Sequence, residues 1–313
     1  HSELALDIGA RIYMRRAGHI LGASTLEVKW GGKTIVFSGD LGRYDDPFMY
    51  DPEPVPKADY VVIESTYGDR THPKTDPMEQ LGEVIGRTVS RGGTVVIPAF
   101  AVGRAQLLLY HIWMLKKSGR FENVPIYLDS PMAINATELL CAHLDDHRFT
   151  ADVCVDTCSV ASYARDVDAS KAITSDRMPK VVIAASGMMS GGRVLHHVEA
   201  FGGDQKNTIL FAGYQAAGTR GAKILEGART VRMFGKEVEI RAEIASLPAL
   251  SAHADADELM KWLGGFAAPP ARTFIVHGEP EASSHFHDRI QEDLGWRSDV
   301  VGIDKTYDLA GGA

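Results

Sequence analysis

Cysteine is scarce in this sequence: Cys141, Cys154 and Cys158 are the only three in 313 residues. So small and odd a set cannot build a disulfide framework, and a reducing, cytoplasmic compartment is the expected home. Long apolar runs are missing as well. The longest, such as residues 93–102, are interrupted by glycine and proline and fall well short of the ~18 residues needed to span a bilayer. No membrane partner is therefore expected, and nothing reads as a signal peptide. Basic residues are in deficit, 33 Lys+Arg against 41 Asp+Glu for a formal net charge of −8. This excludes a broadly basic nucleic-acid coat but leaves room for a local cationic cleft on an acidic body. No repeat or low-complexity segment is visible, and the chain opens on His1 rather than methionine.

What is present is the composition of a globular protein, 45% hydrophobic and 24% charged. Since single cores stop growing near roughly 250–300 residues, about two domains are expected. Short apolar runs alternate with helical patterns, which argues for α/β layers. Residues 11–16 and 24–30 read as strands, and Gly31-Gly32 turns the chain back into a strand at 34–38. Four prolines make 45–57 an irregular loop. A buried-type strand follows at 60–63. From about residue 76 the pattern becomes regular βα units: helices at 78–90, 104–118 and 193–200, strands at 94–98, 125–128, 181–185 and 208–212. Such units pack as a parallel sheet with ligand sites at the carboxyl ends of its strands. After residue 250 come a helix at 255–263, a strand at 272–276 and an amphipathic helix at 283–294. The expected organisation is one domain (1–70 and 251–313) interrupted by another (71–250).

Three chemical signals sit at strand ends. Gly18-His19-Ile20-Leu21-Gly22-Ala23 sets a histidine between glycines, Ser38-Gly39-Asp40 puts an aspartate after a strand, and Val276-His277-Gly278-Glu279 repeats the arrangement with a histidine. Imidazole and carboxylate suit a divalent ion such as zinc. Taken singly, each is ordinary turn chemistry; their joint occurrence in this order is much more specific.

With Glu64-Ser65-Thr66-Tyr67-Gly68, Pro98-Ala99-Phe100-Ala101-Val102-Gly103-Arg104, Asp129-Ser130-Pro131-Met132, Ser186-Gly187-Met188 and Ser251-Ala252-His253-Ala254-Asp255, these segments resemble the motif series of the β-CASP branch of the metallo-β-lactamase superfamily. Nearly the whole chain is covered. The resemblance implies an α/β fold, a partial metallo-β-lactamase αββα sandwich carrying an inserted β-CASP domain of parallel-sheet type. It also implies a zinc-dependent ribonuclease with single-stranded RNA as its partner, and leaves a homodimer open. By resemblance His19, Asp40 and His277 are zinc ligands, with Asp40 bridging two ions. Glu64 matches the acidic residue that supports a metal-bound histidine, and His253 the histidine that donates a proton near the scissile phosphate. The roles are physically sound: two cations activate a water and offset phosphate charge, a second carboxylate fixes a histidine tautomer, and imidazole titrates near working pH. RNA-directed members carry a histidine at the position of His277, whereas DNA-repair members tend to carry valine. Two Gly-rich turns, 186–193 and 213–221, offer backbone N–H groups to phosphates. Ser186, Gly187, Arg193, Tyr214, Arg220 and Ser251 are the candidate RNA contacts. The alternative is that these are tight βα turns needing glycine only for geometry. Arg15, Arg16, Arg43, Arg70 and Arg104 are either further positive charge around the cleft or solvated surface.

One feature of the superfamily, a His-x-His-x-Asp-His run before the segment matching Gly18-His19, has no counterpart ahead of His19. His285-Phe286-His287-Asp288 has the wrong spacing, His143 and His147 flank a polar stretch, and His196 and His197 point in different directions. Each zinc would keep only two ligands from this chain, His19 with Asp40 or Asp40 with His277, where catalytic zinc normally takes three. The expectation is therefore that this polypeptide alone binds zinc weakly and cleaves little, that the complete protein is a two-zinc enzyme, and that the sheet here has an open edge and exposed apolar surface. A non-catalytic RNA-binding or scaffold subunit is the main alternative, and a hydrolase of small esters or thioesters a third. The cysteines read as ordinary thiols without the partner pair of a structural zinc site.

Overall fold

The Gly31-Gly32 pair, at φ 57 and 74, turns the chain inside an antiparallel meander. Its strands are β1 (Glu3–Ala5), β2 (Arg11–Arg16), β3 (Ser24–Trp30) and β4 (Lys33–Phe37), and β5 (Tyr60–Glu64) then joins β4 in parallel. This is a computed structural model, and it describes residues 3–309. The chain divides into two compact units: unit 1 holds the chain up to His72, Asp146–Arg148 and the part from Ala252 onward, and unit 2 holds Pro73–Asp145 and Phe149–Ser251.

Unit 2 runs through α1 (Pro77–Ser90), β6 (Thr94–Pro98), α2 (Arg104–Lys117), β7 (Ile126–Asp129), α3 (Pro131–Ala142), α4 (Ala151–Ser159), β8 (Ser162–Tyr163), α5 (Val167–Ser175), β9 (Lys180–Ala184), α6 (Val194–Phe201), β10 (Thr208–Phe211), α7 (Arg220–Leu225), β11 (Thr230–Met233), β12 (Lys236–Glu239) and β13 (Glu243–Ser246). Helix starts are fixed chemically. Asp76 and Ser130 accept backbone N–H groups of the first turn, each followed by a proline whose missing N–H costs nothing there. Among the described residues the main sheet is wholly parallel, ordered β13-β10-β6-β9-β7-β8. Every residue of β6 and β9 is buried, the mark of strands covered on both faces.

Unit 1 resumes with α8 (Ala256–Leu263), started by a capping box between Asp255 and Glu258, then β14 (Arg272–Val276), α9 (Pro280–Arg289) and β15 (Ser298–Val300). Among the described residues its sheet is ordered β1-β2-β3-β4-β5-β14-β15. Val36, Val61, Ile63 and Ile275 pack on one face against Leu259, Trp262, Leu263 and Phe286. The other face carries a cross-strand row of Met14, Leu26 and Phe37, with Met14 and Phe37 each 41% exposed. Both sheet layers fit the expected α/β class. Several elements departed from the reading of the sequence. Residues 131–175 contain α3, α4 and α5, and the helix expected at 283–294 begins earlier, at Pro280, and widens into a π-turn over Ile290–Leu294. Among the described residues no helix is long and apolar enough to cross a membrane.

Candidate functional site

In unit 1 three short segments are laced together at the ends of the strands. Gly42 N–H donates to Ala17 O (2.8 Å), Ala254 N–H donates to Leu41 O (2.8 Å), and Gly42 bridges to His253. The crossing is so close that a Cβ on Gly42 would lie 2.0 Å from Gly18 O. His19, Asp40 and His253 are thereby brought side by side. The His19 and His253 rings are 4.2 Å apart, and those of His253 and His277 5.9 Å apart. His277 directly follows β14 with φ 53, a left-handed backbone uncommon for residues other than glycine. Its Nδ1 lies 3.3 Å from Asp40 Oδ1 and 3.2 Å from Thr66 Oγ1.

Glu64 is the hub. Its buried carboxylate accepts Leu41 N–H (2.6 Å) and Thr66 N–H (3.3 Å) and lies 3.1 Å from His253 Nδ1. A carboxylate only accepts, so His253 Nδ1 carries a proton. Burial by itself would raise the Glu64 carboxyl, but the hydrogen bond and charge of His253 outweigh it and hold the group below the usual carboxylate range. The sequence suggested that Glu64 orients a ligating histidine; the histidine it touches is His253, the expected proton donor. His19 is pushed down to about 4, first by burial and then by the neighbouring His253. It is thus a neutral imidazole at neutral pH.

The donor set fits a metal ion. Among the described residues, His19 Nδ1 is a buried ring nitrogen with no hydrogen-bond partner. His19, Asp40 and His253 present ligand atoms within 4.8 Å of one another, as do Asp40, Glu64 and His277. Two contributors were not legible in the sequence. His72 holds the His253 carbonyl through Nε2 (2.8 Å), and its backbone N–H donates to Asp255 (2.8 Å). Thr66 fixes His277 through its hydroxyl. A lone histidine before Pro73 carries no sequence signal; Thr66 lay inside a recognised motif but without an assigned role. Of the candidate arginines, Arg15 and Arg70 are paired with Glu27 (2.8 Å) and Asp69 (2.7 Å).

In unit 2 the Gly-rich turns are closed on themselves. Ser186 Oγ accepts the Ser190 and Gly191 N–H groups (3.0 and 3.2 Å), so these two donors are engaged within the turn rather than open to a phosphate. Gly187 is buried beneath Phe100. Arg193 departs from the expectation of a free phosphate ligand. Its guanidinium binds Asp129 (2.7 Å), Ala164 O (2.9 Å) and Arg165 O (3.2 Å). Asp129 also accepts from Ser170 (2.5 Å) and binds His197 Nε2 (2.6 Å), with Asp129 and His197 both fully buried. Arg220 donates to the carbonyls of Arg232 (2.8 Å), Met189 and Ser190 (both 3.1 Å), bracing the two turns. It also lines a cleft of about 640 Å³ with Lys223 and Arg232. Tyr214 is half-buried, and Ser251 is buried with its N–H on Pro248 O. Of the histidines weighed as alternatives, His147 is buried near Phe48, His287 pairs with Ser298, and His285 is exposed. The cysteines do have partners: Cys141 Sγ lies 2.6 Å from Cys154 Sγ and 2.9 Å from Cys158 Sγ.

Comparison with known proteins adds an independent line. The Beta-Casp domain family matches residues 105–224, and the Zn-dependent metallo-hydrolase RNA specificity domain matches residues 237–301. Ribonuclease TTHA0252 of Thermus thermophilus is 38% identical over 273 residues, covering 85% of this chain and 62% of the relative. Transcription termination factor FttA of Methanosarcina mazei is 33% identical over 300 residues, covering 90% and 46%. An RNase J-like protein of Methanocaldococcus jannaschii is 31% identical over 290 residues, covering 91% and 68%. The chain spans less than two thirds of the first two relatives.

Proposed function

The chain belongs to the β-CASP family of the metallo-β-lactamase superfamily, and from that premise we propose that it carries the nuclease centre of a zinc-dependent, RNA-cleaving hydrolase of the cytoplasm. The observation that carries this reading is the convergence of His19, Asp40, His253 and His277 around the buried Glu64. A scaffold has no chemical need for that set. His19, Asp40 and His277 would hold the zinc. Bound zinc supplies Lewis acidity, which lowers the pKa of a water and offsets charge on phosphate oxygens.

The remaining work falls to the chain's own groups. Glu64 keeps the proton of His253 on Nδ1, so the opposite ring nitrogen, once protonated, can pass a proton to the departing oxygen. Thr66 and His72 keep His277 and the His253 backbone in place. Single-stranded RNA is the substrate favoured by His277, the residue type found in RNA-directed members. The cleft lined by Arg220, Lys223, Arg232 and Glu237 carries a net positive charge toward a phosphate backbone. Counting His19, Asp40 and His277 as ligands, two ions would share three side chains from these 313 residues, where each would usually take three. We therefore expect these residues by themselves to hold zinc weakly.

The test uses the intact protein on single-stranded RNA and on DNA of the same sequence, with and without a chelator. RNA cleavage that the chelator abolishes, and that Asp40→Asn and His253→Ala remove, is the expected result. Preference for DNA would refute the substrate class, and undiminished cleavage under chelation would refute the metal chemistry.

A further inference from the structure

Cys154 and Cys158 lie one turn apart on α4 and so share a face, and Cys141 stands in the last turn of α3. The two helices bring all three sulfurs within 4.8 Å of one another. Cys154 is buried and the other two are half-buried, so the cluster is anchored in unit 2 yet reachable from solvent. Three sulfurs converging on one point are more than packing needs. A Leu or Ala would fill the same space, and one disulfide would engage only two thiols. A trio is instead the donor set of a thiophilic cation.

We propose that Cys141, Cys154 and Cys158 form a separate metal site, selective for a soft cation such as Zn²⁺ or Cu⁺ and built from none of the residues of the His19–Asp40 centre. Zn–S bonds of about 2.3 Å set neighbouring thiolates roughly 3.8 Å apart around a tetrahedral ion. The sulfurs, now at 2.6 and 2.9 Å from Cys141, would open by about 1 Å, within reach of side-chain rotation. Because Cys141 and Cys158 are half-buried, water or an external thiol could complete the fourth position. Thiolate donors also separate this site from the imidazole and carboxylate centre by ligand softness. The consequence for the fold is a clamp. The ion would tie the end of α3 to α4, a nine-residue helix that buries few side chains of its own.

The experiment is a Co²⁺ titration of the intact, reduced, metal-stripped protein under anaerobic conditions, followed by Cd²⁺. A thiolate-to-metal charge-transfer band saturating at one equivalent is the expected signature, because the His/Asp centre has no sulfur to produce it. Cys154→Ser and Cys141→Ser should abolish the band and Asp40→Asn should leave it intact. Zn²⁺ should raise the Tm of Asp40→Asn protein, and this shift should vanish when Cys154→Ser is added. Absence of the band while thiol titration counts three free cysteines would overturn the proposal, as would two of the three thiols being found joined in a disulfide in freshly isolated protein. Asp40→Asn protein that keeps both the band and full RNA cleavage would fault the His19–Asp40 reading alone.

Discussion

His277 permits a test in which the usual ranking of two small residues reverses. Its φ of 53 lies in the left-handed region, which costs a residue bearing a Cβ roughly 1–2 kcal/mol. The imidazole is 57% exposed, so replacing it creates no cavity. Its contacts with Asp40 and Thr66 disappear equally in His277→Ala and His277→Gly. The difference between the two variants therefore isolates the backbone. At an ordinary position glycine is about 0.5–1 kcal/mol less stable than alanine, because the unfolded chain gains freedom. Here the relief of left-handed strain exceeds that loss, and His277→Gly should be more stable than His277→Ala by about 0.5–1 kcal/mol. Equilibrium urea unfolding followed by tryptophan fluorescence is suited to the measurement, since Trp30, Trp262 and Trp296 belong to unit 1 and only Trp113 to unit 2. Both variants should lose RNA cleavage in the intact protein. If alanine equals or exceeds glycine, the strain at this strand end is not real and the explanation of how His277 is aimed fails with it.

Four further outcomes can be checked. Asp129→Ala strips the shared acceptor from Arg193, His197 and Ser170 and should cost about 3–5 kcal/mol in urea unfolding, the usual cost of orphaning one half of a buried ion pair; a loss under 1 kcal/mol would contradict the network. Burial holds His19 and His111 down to about 4 from 6.5, so between these values the unfolded chain binds more protons, and stability should fall as pH drops from about 6.5 toward 4 and level off below. His111→Phe should flatten part of that slope in a series of urea midpoints, and an unchanged slope would rule out His111 as a cause. Gly42→Ala must push a methyl into Gly18 O; the expected result is a loss of about 2 kcal/mol or more together with weaker metal binding, whereas wild-type behaviour would mean the crossing is looser than described. Zinc held by the 313 residues alone should be stripped by a mild chelator within one dialysis, and retention of two equivalents would show that His253 or Glu64 acts as a ligand.

The strands that carry chemistry were legible because each is short, apolar and ended by glycine, as at Gly39 and Gly278, and the central strands β6 and β9 announced their double burial in unbroken valine and isoleucine. Pairings between distant segments were not legible. Arg193 looked available for phosphate because its partner Asp129 ends a strand 64 residues earlier, and no local pattern links the two. Glu64 was correctly placed at a strand end, but which histidine it faces depends on how residues 252–254 cross residues 40–42. Helix α4 was missed since its nine residues, with Asp152, Asp156 and two cysteines, form no apolar stripe. The cysteine trio was invisible for the same reason: it exists only once α3 and α4 meet.

The pairing of β5 with β14 joins strands from opposite sides of the inserted unit; Ser65 Oγ donates to Val276 O across 211 residues of sequence. On the ribosome, His19, Asp40 and Glu64 emerge long before His253 and His277, and unit 2 is synthesised in between. Unit 2 can close around its own parallel sheet during synthesis, whereas the first strands of unit 1 must wait without their partner. A nascent chain therefore holds half a centre until residues 253–277 have emerged.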